Sequence, residues 1–158
     1  MRDPGQPTLQ AQQGVADAFF RPLPLLAVAV LALNDHLLKG SGVLPGWLTG
    51  KLSDVAGMFF FPLFLSALLA LVVRPPAWLA GRVEATSALL TAAIFCAVKL
   101  SPSASGAWEL ATGALRGGVR VHNVCDPTDL VALPLCALSV LYSKRVRRQA
   151  TPTQGRSP

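Results

Sequence analysis

Charged residues are scarce in this sequence. Of its 158 residues, 14% are Asp, Glu, Lys or Arg and 52% are hydrophobic, whereas an ordinary soluble domain is roughly 25% charged. A water-soluble helix needs a polar face, and long parts of this chain offer none. The stretches without any charged residue are 23–33, 55–73, 85–98 and 130–142. The composition therefore argues against a soluble protein and predicts a single-domain integral membrane protein.

Sequence motifs of well-known catalytic and binding sites are also missing. The sequence contains no phosphate-binding loop, nucleophile elbow or zinc-protease motif. Its three cysteines, Cys96, Cys125 and Cys136, lack CxxC spacing and are odd in number, so no disulfide framework is predicted. His36 and His122 have no recognised ligand spacing around them. We therefore predict neither a metal nor another cofactor, and we favour a protein that is not an enzyme.

Turn and breaker residues divide the apolar stretches into four predicted transmembrane helices. The stretch 55–73 alone is about 28 Å long at the helical rise, which matches a hydrocarbon core of about 30 Å. Stop signals follow the first three helices at Gly40-Ser41-Gly42, Arg74-Pro75-Pro76 and Ser101-Pro102. Pro134 predicts a kink in the last one. The predicted helices cover about 20–39, 54–73, 84–100 and 127–143.

A shorter amphipathic helix is predicted at about 104–116, between the third and fourth transmembrane helices. Its residues form one apolar and one polar stripe at helical spacing. The apolar stripe contains Ala104, Trp108, Ala111 and Leu115, and the polar stripe contains Ser105, Glu109, Thr112 and Arg116. We expect this helix to lie flat on the membrane. The predicted fold is therefore all-α, an integral membrane bundle of four transmembrane helices plus a short interfacial helix.

The segments outside the four-helix domain (19–143) are predicted to be tails. Residues 1–18 are rich in Gln, Pro and Gly and are expected to be disordered, and 144–158 form a basic tail. Arg21 followed by an apolar run has some likeness to a signal peptide. However, the small residues lie in the middle of that run rather than after it. We favour an uncleaved first helix.

The distribution of Lys and Arg predicts the orientation. With four crossings, nine of the fourteen basic residues fall on the side of both termini and five on the other. The positive-inside rule therefore places both termini in the cytoplasm of a bacterial cell, with the chain as a multi-pass inner-membrane protein. The cluster Lys144, Arg145, Arg147 and Arg148 fits an anchor on anionic lipid better than a nucleic-acid tail. The predicted partner is the lipid bilayer, not nucleic acid.

An even number of crossings brings the ends of helices one and three and the starts of helices two and four to one face. Most of the unusual polar residues lie at these ends, and this face is predicted to be extracytoplasmic. We expect a pocket there that binds an anionic or zwitterionic group, such as a lipid headgroup. The candidate ligand-binding residues are Asn34, Asp35, His36, Lys39, Lys51, Ser53, Asp54, Lys99, Asp126 and Asp129.

Several of these residues also have a simpler explanation as helix caps. Asp126 before Pro127 is a good helix start, Ser53-Asp54 could cap helix two, and lysines are favoured at helix C-termini. Asp35 and Lys51 point to function more strongly, because each has a charge that its helix end disfavours. Lys39 could pair with Asp35 four residues earlier. His36 could transfer protons or form a local hydrogen bond, and both interpretations stay open.

Two segments of this region resemble the VanZ-like family of small bacterial membrane proteins. They are 34–39 (NDHLLK) and 49–62 (TGKLSDVAGMFFFP). The family pairs a helix segment containing an acid and a histidine with a later basic-Ser-Asp segment ahead of an apolar helix. The resemblance covers 34–62, with a fainter likeness at 126–134. It departs at Ala56-Gly57, where the family has an Asn after the Asp. The resemblance implies a role in the cell envelope.

Three functions remain open at this point. The leading hypothesis is a ligand-binding or scaffold protein of the envelope. A membrane enzyme acting on an envelope lipid would use Asp54 or Asp129 as a base and lysines to hold phosphate. A small transporter would need ionisable residues across the membrane, and the inner halves of the helices contain almost none. The sequence leaves the ligand and the oligomeric state open.

Overall fold

All the regular secondary structure in the described part of the computed structural model is helical. The described part comprises residues 15–115, 117–119 and 122–150, with the backbone alone at 77 and 150. After a short helical segment at 15–19, the elements are α1 (Pro22–Leu33, extended by a π-helical turn, Asn34–Leu38), α2 (Gly46–Val73), a 3₁₀ turn (Ala77–Leu79), α3 (Ala80–Leu100), α4 (Pro102–Leu115), a 3₁₀ segment (Pro127–Ala132) and α5 (Pro134–Ala150). This confirms the all-α prediction.

Two of these helices are long and apolar enough to cross a membrane. By length and composition these are α2 and α3, and the continuous helix Pro22–Leu38 is a shorter apolar one. α2 lies at the centre of the bundle, where it packs against α1, α3 and α5. A core of Met58, Ala88, Phe95, Ala132 and Cys136 lies between α2, α3 and the chain from 127 onward. Its small residues let the helices approach closely.

Helices α2 and α3 begin earlier than the sequence analysis predicted. α2 starts at Gly46 behind Pro45, eight residues before the predicted start, and α3 starts at Ala80. Charged and hydroxyl residues interrupt the apolar pattern, but they do not prevent a helix from forming. Ser53 and Asp54 therefore lie inside α2, and the prediction that they cap it is wrong.

The predicted tails are partly wrong as well. Residues 15–19 are helical, and Val15 and Ala18 are buried, although 1–18 were expected to be disordered. Phe19 packs on Phe60 and Phe64, with ring centroids 5.6 and 5.8 Å apart. At the other end, α5 continues through the basic cluster because Val146 is buried against the bundle. The rest of both predicted tails, 1–14 and 151–158, lies outside the described residues.

The predicted fourth helix has a different form. A 3₁₀ segment runs from Pro127 to Ala132, and the α-helix begins at Pro134, so this proline starts a helix rather than kinking one. At rises of about 2.0 Å and 1.5 Å per residue, the two parts together extend about 38 Å. The uncharged stretch 130–142 is short, but the helical segment that contains it is long enough to cross a hydrocarbon core of about 30 Å.

Helix α4 lies where the amphipathic helix was predicted, and residue 116, the last predicted one, lies outside the described residues. Its polar stripe faces the protein, because Asn123 donates from its side chain to Ser105 Oγ and from its backbone to Glu109 Oε1. Leu110 and Leu115 are exposed on the other side. Leu110 and Leu115 are therefore directed away from the bundle, whereas Trp108 of the apolar stripe lies beside α2 and α3.

Candidate functional site

Five charged side chains form a network at the end of the bundle where α3 ends and α2 begins. Lys99 Nζ lies 2.9 Å from Asp54 Oδ2 and 2.6 Å from Asp129 Oδ2. Lys51 Nζ lies 2.9 Å from Asp129 Oδ1 and 3.9 Å from Asp126 Oδ2. We call these five residues the ion-pair network. It connects α2, α3 and the 3₁₀ segment.

The helices place each of these groups for a local reason. Lys51 and Asp54 are three residues apart and share one face of α2. Lys99 is the next-to-last residue of α3, where the helix dipole stabilises a cation. Asp129 lies in the 3₁₀ segment between the two lysines. The predicted convergence of helix ends is therefore present in the structure.

The lysines of the network are already neutralised. Lys51 and Lys99 face three aspartates, so the formal charge of the network is negative by one. Lys99 and Asp129 are both buried. An anion that entered this site would find no uncompensated positive charge from the network. Because the carboxylates outnumber the ammonium groups, a group containing a cation fits better.

Asp54 is the network residue with the least complete set of partners. Its Oδ2 is buried against the Lys99 ammonium, at 2.9 Å. The Asp54 side chain as a whole keeps 17% of its surface exposed. The exposed part of the carboxylate can therefore accept a hydrogen bond from a ligand.

A second cluster connects α1 to α2 beside the network. Asn34, which is fully buried, donates 2.7 Å hydrogen bonds to the Thr49 carbonyl and to Ser53 Oγ. Ser53 in turn donates to Asp35 Oδ1 at 2.8 Å. The π-helical turn that begins at Asn34 places Asn34 and Asp35 toward α2, and such turns are frequent at functional sites. Asp35 therefore has a hydroxyl partner.

Two of the predicted site residues stand apart from both clusters. His36 and Lys39 are exposed, and within the described residues neither side chain has a hydrogen bond or an ion pair. The possible pair between Asp35 and Lys39 is thus not formed. The other eight predicted site residues all belong to the Asn34 cluster or to the ion-pair network.

Asp126 caps the 3₁₀ segment, as the sequence predicted. Its Oδ1 accepts hydrogen bonds from the Thr128 hydroxyl at 2.7 Å and from the Thr128 backbone N–H at 2.8 Å. These bonds favour the charged carboxylate, so they lower the pKa of Asp126 from its ordinary value of 3.8. Asp126 therefore both caps the 3₁₀ segment and belongs to the ion-pair network.

A cavity of about 270 Å³ adjoins the network between α2, α3 and α4. Asp54 and Lys99 line one end, together with Ser53 and Asn123. The rest of the lining is mainly apolar. It comprises Gly57, Met58, Phe61, Phe64, Leu65, Thr91, Ile94, Phe95, Val98 and Trp108. The cavity thus has a charged end and an apolar body.

A polar cluster at the opposite end of the bundle was not predicted. Glu84 is 1% exposed, accepts a short hydrogen bond from Ser143 Oγ and lies 2.8 Å from Arg147 Nη2. The expectation that the inner halves of the helices contain almost no ionisable groups is wrong at this position. The signal available in the sequence was the four-residue spacing of Ser143 and Arg147, which places both on one helix face.

The remaining titratable groups do not form a site. Across the described part of the chain, no group of three or more His, Cys, Asp or Glu side chains is placed to hold a metal ion. His122 is exposed and lies 3.5 Å from Glu109. No family model, no curated protein and no solved structure matches this chain. The function must therefore be inferred from the geometry of the site.

Proposed function

We propose that this chain is a four-span protein of the bacterial inner membrane that binds the headgroup of an envelope lipid at its ion-pair network. The four spans are α1 with its extension, α2, α3, and the 3₁₀ segment with α5. Both termini face the cytoplasm, and α4 lies at the outer surface with its apolar side in the lipid. The apolar character of α2 and α3, the positive-inside count and the resemblance to the VanZ-like family support this proposal.

The observation that carries the proposal is the Asp54 carboxylate. It lines the cavity, it is paired with a single lysine among the described residues, and its side chain keeps 17% of its surface exposed. An ammonium group of a ligand in the cavity would pair with the exposed part of this carboxylate. Lys99 can contact a phosphate beside it, because its ammonium has three N–H groups and two face carboxylates. Of the two headgroup classes predicted, this arrangement favours the zwitterionic one.

Lipid binding can be tested by headgroup selectivity. The purified protein would be incubated with equal amounts of phosphatidylethanolamine and phosphatidylglycerol in mild detergent, and the retained lipid would be measured by native mass spectrometry. We expect the wild type to retain the zwitterionic lipid preferentially. Asp54→Asn should lose that preference, whereas Asp17→Asn, the same change at an exposed position at the other end of the bundle, should keep it. Equal retention of both lipids by the wild type would refute the proposal.

The orientation can be tested with a native cysteine. Cys125 is exposed near the network end, Cys136 is buried, and Cys96 is partly buried. An impermeant maleimide should therefore label intact cells (spheroplasts, where an outer membrane is present) through Cys125, and Cys125→Ser should abolish the labelling. In the Cys125→Ser background, Trp78→Cys in the α2–α3 connection should react only after the cells are permeabilised. Labelling of the Trp78→Cys site in intact cells would show that the orientation is the opposite of the one proposed.

A membrane enzyme is the second candidate, and the cavity restricts its base to one residue. Both oxygens of Asp129 are bonded to lysines, at 2.9 and 2.6 Å, so Asp129 has little capacity to accept a proton. Asp54 faces the cavity, and among the described residues Lys99 is its one cationic partner within ion-pair distance. If the retained lipid is chemically altered on incubation with the wild type but not with Asp54→Asn, the chain is an enzyme.

A further inference from the structure

We infer that the cavity between α2, α3 and α4 holds one hydrocarbon chain of the bound phospholipid, with the lipid headgroup at Asp54 and Lys99. This inference rests on the proposed function and extends it, because it specifies the ligand as a chain-bearing amphiphile rather than a free polar molecule. The occupant comes from the surrounding membrane.

The lining of the cavity is charged at one end and apolar along the rest, and a phospholipid has the same division into a polar headgroup and apolar chains. The charged end of the cavity contains the buried Lys99–Asp54 pair, separated by 2.9 Å. Farther along, Phe61, Phe64 and Ile94 line the body of the cavity. A free polar molecule would leave this apolar body empty, and a plain hydrocarbon would leave the exposed part of the Asp54 carboxylate without a polar partner. An amphiphile satisfies both ends.

The same residues indicate how the chain would enter. Phe61, Phe64 and Ile94 are 41%, 42% and 42% exposed, so the cavity reaches the outer surface of the bundle between α2 and α3. In the proposed orientation this surface faces the hydrocarbon of the membrane. Apolar cavities exclude water. A lipid chain moving sideways out of the bilayer is therefore the natural occupant.

Trp108 marks the rim of the cavity near the charged end. It comes from α4, lines the cavity and is partly exposed. An indole has an apolar body and a polar N–H, and this combination suits the level of lipid headgroups. Its position also makes Trp108 an intrinsic fluorescent reporter of a chain in the cavity.

Gly57 keeps part of the cavity open. A Cβ at this position would meet only the Phe61 ring, at 3.5 Å, which is an ordinary contact distance. A larger side chain would extend into the space that we assign to the lipid. Gly50 on the same helix offers a matched control, because it does not line the cavity and a Cβ there would meet nothing within 4 Å.

The test is quenching of Trp108 by a phosphatidylethanolamine with brominated chains. Trp47 and Trp78, both well exposed, are first replaced by Phe, and the lipid is titrated at near-stoichiometric amounts in mild detergent. We expect saturable quenching in this background and in Gly50→Leu. In Gly57→Leu the apparent affinity should fall at least about tenfold. Thr91→Leu, which fills the cavity from α3, should behave like Gly57→Leu and serves as the second variant if Gly57→Leu does not fold.

The outcomes separate this inference from the proposed function. If a folded Gly57→Leu or Thr91→Leu variant is quenched as strongly as Gly50→Leu, the chain does not occupy the cavity, although headgroup selectivity can still hold. If these variants lose quenching while phosphatidylglycerol and phosphatidylethanolamine bind the wild type equally, the chain site is correct and the headgroup proposal is not. Non-saturable quenching in every variant would mean that Trp108 is quenched by lipid dissolved in the detergent and not by a lipid bound at a site. That result would overturn the inference.

Discussion

Replacing Lys99 by methionine should destabilise the protein strongly. Lys99 is 7% exposed and is the only lysine within 4.0 Å of Asp54 among the described residues. Without it, Asp54 and Asp129 would face each other with no ammonium between them, although Asp129 would keep Lys51 at 2.9 Å. Removing one partner of a buried pair costs about 3–5 kcal/mol. Because Asp129 keeps one lysine, we expect a loss at the low end, about 3 kcal/mol.

A second substitution should recover most of this loss. Asp54→Asn removes the carboxylate that Lys99→Met leaves unpaired, so the double variant should lie within about 1 kcal/mol of the wild type. At about 2–4 °C per kcal/mol for a chain of this size, the single variant should unfold about 6–12 °C below the wild type.

The assay is thermal unfolding in mild detergent, followed by the reaction of buried Cys136 with a fluorogenic thiol reagent. Cys125→Ser removes the exposed thiol from the background. Lys39→Met is the matched control, because Lys39 is exposed and has no ion pair within the described residues, and it should leave the midpoint unchanged. The reasoning fails if Lys99→Met is as stable as Lys39→Met, or if Asp54→Asn gives no recovery.

Three further predictions concern other parts of the molecule. Arg147→Gln leaves buried Glu84 without its cation and should lower the free energy of unfolding by about 2 kcal/mol. Gly113→Ala should destabilise by about 1–3 kcal/mol, because its Cβ would lie 2.9 Å from a backbone oxygen, whereas Gly106→Ala has open space and should stabilise slightly. The lowered pKa of Asp126 means that its charge stabilises the fold above pH 3.8, and that this contribution is lost as the pH falls through the lowered value.

The same unfolding assay checks all three. Arg148→Gln, an exposed neighbour, should show almost none of the loss seen for Arg147→Gln. If Gly113→Ala and Gly106→Ala have the same midpoint, the close approach at Gly113 is not a constraint. For Asp126, the difference in unfolding midpoint between the wild type and Asp126→Asn should narrow below pH 3.8. A difference that widens as the pH falls would contradict the predicted direction of the pH dependence.

The sequence predicted which helix ends meet, but not how their charges pair. Alternating crossings alone bring Lys99, Asp54 and Asp129 to one end, and this follows from the count of apolar stretches. The choice of partner depends on helix rotation and on the length of α2. Because α2 starts nine residues before the apolar run, Lys51 and Asp54 lie inside a helix, and no pattern of hydrophobicity marks that start.

The cluster around Glu84 escaped prediction for a related reason. Glu84 is the first residue of the predicted third helix (84–100), and nothing in the sequence indicates that it is buried inside the helix Ala80–Leu100. Only the packing of α3 against α5 shows that Ser143 and Arg147 face it. The cavity was also beyond prediction, because the space around Gly57 depends on how Phe61 and the residues of α3 are oriented.

In the proposed membrane orientation, the two charged clusters on α3 restrict the bilayer that suits this protein. Glu84 and Lys99 are fifteen residues apart, which corresponds to about 22 Å along the helix axis. A typical hydrocarbon layer is about 30 Å thick, so the region without charge is some 8 Å too short for it. Because both residues are buried in the bundle, their ionic partners enter the bilayer with them. A thinner bilayer keeps both clusters closer to water, so vesicles of short-chain lipids should stabilise the protein more than vesicles of long-chain lipids.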